Sequence, residues 1–423
     1  MLLLSVTGLL VSAAGCDSVI YDNYPVENNP DDLVTLVLNV GLVAPTRAAA
    51  DNDRELMHSL RIILLDAETD GQVEYNAHID FNTGAESLDY HFIRTKTGKK
   101  KIFLIANEES IAQVGGVESY TDDLTALLNK LDTQSMSSED AEKTLKAVWF
   151  TPGNYGGANG AKNWIPLSSS YAFEIKESEL TADNRRVEKT FYLVHAATKF
   201  EFEFINNRSS AVQIEELSIS SIADKMYLMA KFEDAPAEEK KGPASYGDLY
   251  WIDWLKKVSD ETTDHPKDFP DDPAEDDNEK VNARFDWIKD YVLPEETDHT
   301  LQYLISKDES AVSPIEQVAI PVTATAANPY KLPVVYFPES KNPASSVGNQ
   351  NYYLSIKLSD GSEVKEFPNV PLTNINDSHA NLVTLFRNTH VKITCTFSYE
   401  AILTLWVGIC PWSEESIDIP AFD

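Results

Sequence analysis

The stretch LVTLVLNVGLVAPTRAAADND, Leu33 to Asp53, narrows the possible folds most sharply. Val34, Leu36, Leu38, Val40 and Leu42 alternate with Leu33, Thr35, Val37, Asn39, Gly41 and Val43, a period of two that puts five aliphatic side chains on one face of an extended strand. Such a strand belongs in a sheet with that face against a core. It then runs into Arg47 within a small-residue segment, APTRAAADND, whose composition is that of an accessible loop.

Strand patterns recur along the whole chain. SLRIILLDAE and GQVEYNAHIDF follow, then a polar turn, then GKKKIFLIANEE and IPLSSSYAFEIKE. In RRVEKTFYLVHAATKFEFEFINN two long patterns meet near His195, and KFEFEFINN alternates strictly. Farther on, TLQYLISK, EQVAIPVTATA, KLPVVYFPES, NYYLSIKLSD, SEVKEFPNVPL, LVTLFRNTHVKITCTFSYE and AILTLWVGICPW are short and evenly placed, with Pro, Gly and Asn between them, as in a β-sandwich. Phe, Tyr and Trp make up 10% of the chain, which favours strands. Two helices are expected: TDDLTALLNKL, with Thr121 as its candidate N-cap, and SSEDAEKTLKAVWF, led by serines and acids.

At 423 residues the chain has room for two or three domains. The expected fold is all-β with minor helices, arranged as two tandem β-sandwich domains over residues 33–195 and 196–423. Residues 234–300 read as an insertion in the second: two amphipathic patterns, SYGDLYWIDWLKKV and NEKVNARFDWIKDYV, flank a linker in which Asp260 to Glu279 holds ten acids and one base. Trp251, Trp254 and Trp287 on those patterns would either pack them onto the sandwich or form a carbohydrate-binding surface, and packing is the simpler role.

Charge and cysteines indicate where such a chain works. The formal charge of -33, from 68 acids and 35 bases, argues against nucleic acid as a partner, since little here could replace the counterions around phosphates. Residues 1–15, MLLLSVTGLLVSAAG, read as a signal-peptide core too short to span a bilayer. The small residues Ala13, Ala14 and Gly15 before Cys16 resemble a bacterial lipobox, so a lipoprotein is expected, lipidated on Cys16 with residues 16–32 as an acidic tether. An ordinary signal peptide is the alternative. Cys395 and Cys410 could pair across antiparallel neighbours, or could be two small buried hydrophobes.

Motifs of chemistry are missing. The sequence holds no GxSxG, HExxH or CxxC, and its eight histidines, at 58, 78, 91, 195, 265, 299, 379 and 390, show no paired spacing. TPGNYGGANGAKNWIPLSSSY lacks the spacing of a phosphate-binding loop, and DDPAEDDNE lacks the turn glycine and distal glutamate of a calcium loop. Neither an enzyme, a metal site nor a cofactor is expected.

Taken in order, lipobox Cys16, the acidic tether, a first strand ending at an arginine, IPLS, and the later LPVVYFPES and LFRNTHVKIT resemble the Bacteroidales fimbrillins, the FimA-type and Mfa-type subunits of type V pili. The resemblance spans nearly the whole chain; the acidic insertion departs from the simplest members. It implies sandwiches of the transthyretin-like, Greek-key type and export as a lipoprotein to the outer membrane. It further implies proteolysis between Arg47 and Ala48, with Arg54 the nearby alternative and Arg61 disfavoured within the next strand. Removing residues 33–43 would then empty a groove once filled by Val34, Leu36, Leu38, Val40 and Leu42. A donor strand from a neighbouring subunit would fill it and build a head-to-tail polymer.

The donor would come from residues 401–422, either Ala401 to Ile409, whose Ala401, Leu403, Leu405, Val407 and Ile409 share a face, or Ile417 to Phe422. Both could instead be ordinary final strands. Other fimbrial subunits are then the expected partners, with a host protein or glycan as ligand of the assembled surface. The alternative is a surface lipoprotein that does not polymerise, either a pilus anchor or a carbohydrate-binding adhesin.

Overall fold

The computed structural model describes residues 33–43, 53–117, 123–131, 136–152, 163–181, 185–231, 291–307, 315–341, 352–361, 364–374, 380–381, 384–398 and 404–411. The fold is all-β. Strands β1 (Leu33–Leu42), β2 (Met57–Asp66), β3 (Val73–Ala85), β4 (Ser87–Lys96), β5 (Gly98–Ala106), β6 (Leu167–Ile175) and β7 (Arg186–His195) form one sheet in the order β3-β2-β5-β6-β7-β1-β4. Only Leu167 with His195 and Ser168 with Val194 join β6 to β7, so the sheet turns a corner there. Strands β7, β1 and β4 lie over β2, β5 and β6. Leu36, Leu38, Val40 and Leu42 fill the space between, with Leu60, Ile62, Leu64, Ile102, Leu104 and Phe191.

Strand β2 is buried on both faces, which explains its nearly unbroken apolar run. Ile63 and Leu65 point away from the first core into a second, covered by helices α1 (Leu124–Leu128) and α2 (Ser138–Ala147). Helix α1 is capped by Asp123, whose carboxylate accepts from Ala126 N at 2.7 Å, and not by Thr121, which lies outside the described residues. Ser137 caps α2 in the same manner, accepting from Asp140 N at 3.1 Å.

The second half repeats the sandwich plan. Strands β8 (Thr198–Asn206), β9 (Val212–Ala223), β10 (His299–Ile305), β11 (Tyr353–Ser359), β12 (Val364–Pro371), β13 (Thr389–Phe397) and β14 (Thr404–Pro411) fall into two sheets. One contains β8-β13-β14 and the other runs β10-β9-β11-β12. The strict alternation of KFEFEFINN has its cause here: Phe200, Phe202 and Phe204 are fully buried in the core, while Glu201 and Glu203 face outward to Lys331, Lys392 and His390. The bond from His390 holds the Glu201 carboxyl well below the usual carboxylate range, with Lys331 adding to it.

One expectation needs correction, and one open alternative resolves for Cys395. The segment between Phe81 and Gly98 is no polar turn: it contains the end of β3 and all of β4, the antiparallel partner of β1. Its pattern was obscured because Tyr90 and Phe92 point outward, so an apolar residue stands on each face. Cys395 is a free, fully buried thiol in the core of the second sandwich, and burial pushes its pKa up. It stands opposite Leu405, whereas Cys410 stands opposite His390, five rungs away. At about 3.4 Å per residue that is roughly 17 Å, against about 4.4–6.8 Å between the Cα atoms of a disulfide. The pair therefore forms no bridge across this ladder, and Cys395 packs as a small hydrophobe.

Residues 232–290, which hold most of the expected insertion and its three tryptophans, and the glycine-rich segment from 153 to 162 lie outside the described residues, whereas 291–300 belong to the folded body: Tyr291 is buried in the first core and His299 opens β10. The chain on either side of that stretch meets, since Val292 N donates to Lys231 O at 2.8 Å. An excursion that returns to its starting point leaves the flanking sheet pairing undisturbed.

Candidate functional site

Strand β1 is the middle strand of a three-strand layer, with antiparallel β4 on one side and parallel β7 on the other. Its five inward residues are buried: Val34, Leu36 and Leu38 are 0% exposed, Val40 1% and Leu42 8%. Val34 sits slightly apart from the others, in a small cluster with Ile175 and Val187. Asn39 clasps both neighbours, accepting from Tyr90 N and donating to Glu188 Oε1, each at 2.9 Å. Tyr90 takes a left-handed backbone conformation, φ 57°, at a bulge that sets two residues of β4 against Asn39. Taking β1 out would leave β4 without any sheet neighbour and open the edge of β7 along its length, exposing an apolar groove.

His91 lines that groove, opposite Leu38, with its Nε2 at 2.8 Å from Tyr75 OH. Burial lowers its pKa below the ordinary value. The sign of the linkage follows: with β1 seated, His91 stays neutral at a pH where an open groove would protonate it. Strand retention is therefore complete above about pH 6.5 and weakens as pH falls below it. Exchange of a nicked β1 segment should be faster at pH 5.5 than at 7.5, and His91→Gln should flatten that dependence.

The end of β1 is tied to the rest of the molecule through a buried junction. Arg47 and Ala48 lie outside the described residues, between Val43 and Asp53. Just beyond them, Glu55 accepts from Tyr336 OH at 2.5 Å and from Lys199 Nζ at 3.0 Å, and its carbonyl lies 2.9 Å from His195 Nε2. Arg54 donates to Asn163 O at 2.8 Å and lies over the Tyr336 ring, 5.2 Å from its centroid. Arg61 is buried in β2, paired with Glu108 at 2.7 Å. Both alternative arginines are thus engaged in folded structure.

Three short motifs, far apart in sequence, converge beside this junction. From LFRNTH comes Arg387, fully buried, and from LPVVYFPES comes Glu339; they pair through two bonds of 2.6 and 2.9 Å. From IPLS comes Ser168, which accepts from Arg387 Nη1 at 3.2 Å. The carbonyls of Leu228 and Tyr227 accept at 2.8 and 2.6 Å, so all five guanidinium donors are used. Asn388 accepts from His195 N at 3.0 Å. Residues 195–198 and 386–389 thereby lock the two halves together. The motifs were legible, but their shared role was not, because nothing in the sequence relates position 168 to 339 or 387.

Among the described residues β14 is an edge strand that pairs only with β13. Leu405, half-buried, packs against the core of the second sandwich, and Val407 and Ile409 stand opposite Ile393 and Val391. Ala401, Leu403 and the segment from Ile417 to Phe422 lie outside the described residues. In this structure β14 thus closes its own sandwich.

One group among the described residues could suit a metal: His78, Asp80 and Glu109. Its geometry is that of an ion-pair cluster, with His78 Nε2 2.8 Å from Glu109 Oε1 and Nδ1 turned to Asp80 at 3.8 Å. The three side chains each offer a ligand atom within 4.8 Å of the others, and Ser59 Oγ also donates to Glu109 at 2.7 Å.

No family model and no curated protein matches the chain. Among solved structures it is similar to the tip fimbrial protein Mfa3 of Porphyromonas gingivalis with a C-terminal truncation, at 12% identity and TM-score 0.47, covering 90% of this chain and 100% of that one. It is also similar to a fimbrilin, FimA, of Porphyromonas gingivalis, at 12% identity and TM-score 0.44, covering 90% of this chain and 98% of that one.

Proposed function

We propose that the chain is a structural subunit, stalk or tip, of a cell-surface fimbria that supports adhesion and has no catalytic role. It is exported as a lipoprotein through Cys16, cut between Arg47 and Ala48, and polymerised when a C-terminal strand of a neighbouring subunit replaces β1. The observation that carries this reading is the position of β1: a middle strand, filling the core with five aliphatic side chains, connected onward only through residues 44–52. Five such side chains contribute roughly 8 to 15 kcal/mol of burial before entropy is subtracted, at about 1.5–3 kcal/mol each. A groove of that depth is filled by a strand or it does not persist.

The engagement of Arg54 and Arg61 leaves Arg47 as the site for an arginine-specific protease. Asp53 to Glu55 would remain anchored at the junction after the cut. For the donor, β14 exchanges one ladder in its own sheet for two in its neighbour's groove. The contact is head-to-tail and propagates as a filament.

Intact mass and N-terminal sequencing of protein recovered from the cell surface test this reading. The expected mature chain begins at Ala48, and Arg47→Ala should leave an unprocessed chain that forms no filaments. A mature chain that begins at lipidated Cys16 and retains residues 33–43 would instead identify a non-polymerising anchor or adhesin.

A further inference from the structure

The outer face of the β1 layer carries an exposed aromatic pair, over one ring of which, Phe92, the Arg186 guanidinium lies 5.9 Å from the centroid. Tyr90 and Phe92, two residues apart on β4, are 60% and 59% exposed, the only aromatics among the exposed large hydrophobic residues described. They share the face of Val37 and Asn39, since Phe92 pairs with Val37 and Tyr90 N with the Asn39 side chain. An edge strand normally carries charge or proline toward solvent to discourage pairing, so two large rings there are a liability unless something sits on them.

The occupant follows from register. Let Ala401, Leu403, Leu405, Val407 and Ile409 take the places of Val34, Leu36, Leu38, Val40 and Leu42. The outward positions then match as Ile402 for Thr35, Thr404 for Val37, Trp406 for Asn39 and Gly408 for Gly41. Gly41 lies against Tyr192, whose ring atoms would be 3.6 Å from an added Cβ, and the incoming strand again brings a glycine there. At the centre, the polar clasp of Asn39 is exchanged for an indole beside Tyr90 and diagonal to Phe92.

We propose that Tyr90 and Phe92 form the seat for Trp406 of a second copy of this chain. This rests on the strand-exchange reading above and adds to it a residue that fixes donor register and favours the incoming strand over the one it displaces. Cross-strand aromatic contacts prefer offset or edge-to-face arrangements, and residues directly and diagonally opposed lie within reach.

The test uses full-length precursor cut after Arg47 and allowed to polymerise, with Trp406→Ala, Tyr90→Asn with Phe92→Thr, and all three changes together. Asparagine tolerates the left-handed backbone at position 90 and both rings are more than half exposed, so Tyr90→Asn with Phe92→Thr should leave the uncut precursor folded, which its melting transition checks. Each variant should release its strand roughly two- to tenfold faster than wild type, and the combination no faster than either. Polymers unaffected by the changes, or effects that simply add, would overturn the seat while leaving strand exchange standing. Glycan binding by the uncut monomer through Tyr90 and Phe92 would also overturn it. Wild-type protein that fails to polymerise after cutting would end both the seat and the reading beneath it.

Discussion

A chain stripped of residues 33–47 should lose the cooperative unfolding transition of its first sandwich, whereas a chain merely nicked after Arg47 should keep it. In the nicked chain β1 still holds two ladders and a buried apolar face, so the fragment stays in place without a covalent link. Stripping it by denaturation and gel filtration removes roughly 8 to 15 kcal/mol of burial before the strand's own ordering entropy is returned. A whole domain is stable by only about 5–15 kcal/mol, so the remaining strands of that layer cannot hold together. Calorimetry of intact, nicked and stripped protein distinguishes the cases. Adding a peptide of residues 33–43 should restore the lost transition, and a stripped chain that melts like the intact one would show that β1 is dispensable to the core.

The second large effect is expected at the junction. Arg387→Met leaves the Glu339 carboxylate buried, 1% exposed, with its cation gone. Breaking a fully buried pair from one side costs about 3–5 kcal/mol, which for a domain of about 150–250 residues lowers Tm by roughly 6–20 °C. Replacing both Arg387 and Glu339 by methionine should recover a large part of that loss, because the penalty lies in the orphaned charge. Equal destabilisation by the single and double changes would place the energy elsewhere, for instance in the Arg387 bonds to the carbonyls of Tyr227 and Leu228. An exposed pair such as Lys357 with Glu366 makes a control, since solvent screens it and breaking it should leave Tm nearly unchanged.

Much of the fold is legible wherever one face of a strand is buried and the other wet. β1, β8 and β11 alternate because each has one core face, and the rule of two finds them. The rule fails where both faces carry apolar groups for different reasons. β2 reads as a continuous run because it lies between a sandwich core and a helical layer. β4 hides because its inward Ile93 and His91 are interleaved with outward Phe92 and Tyr90. That omission matters most, as β4 forms one wall of the groove. The inward face of β1 was readable from five residues. The wall that receives it, the Asn39 clasp and the convergence of Ser168, Glu339 and Arg387 depend on long-range pairing, which no local pattern encodes.

The central claim is that the space between β4 and β7 changes its occupant. Electron cryomicroscopy of the filaments formed by precursor cut after Arg47 reads that occupant directly. The expected density between β4 and β7 is that of residues 401–411 from a second copy, with Leu405 where Leu38 sits and Trp406 on Tyr90. Density for residues 33–42 of the same chain in that position, in an assembled filament, would contradict it.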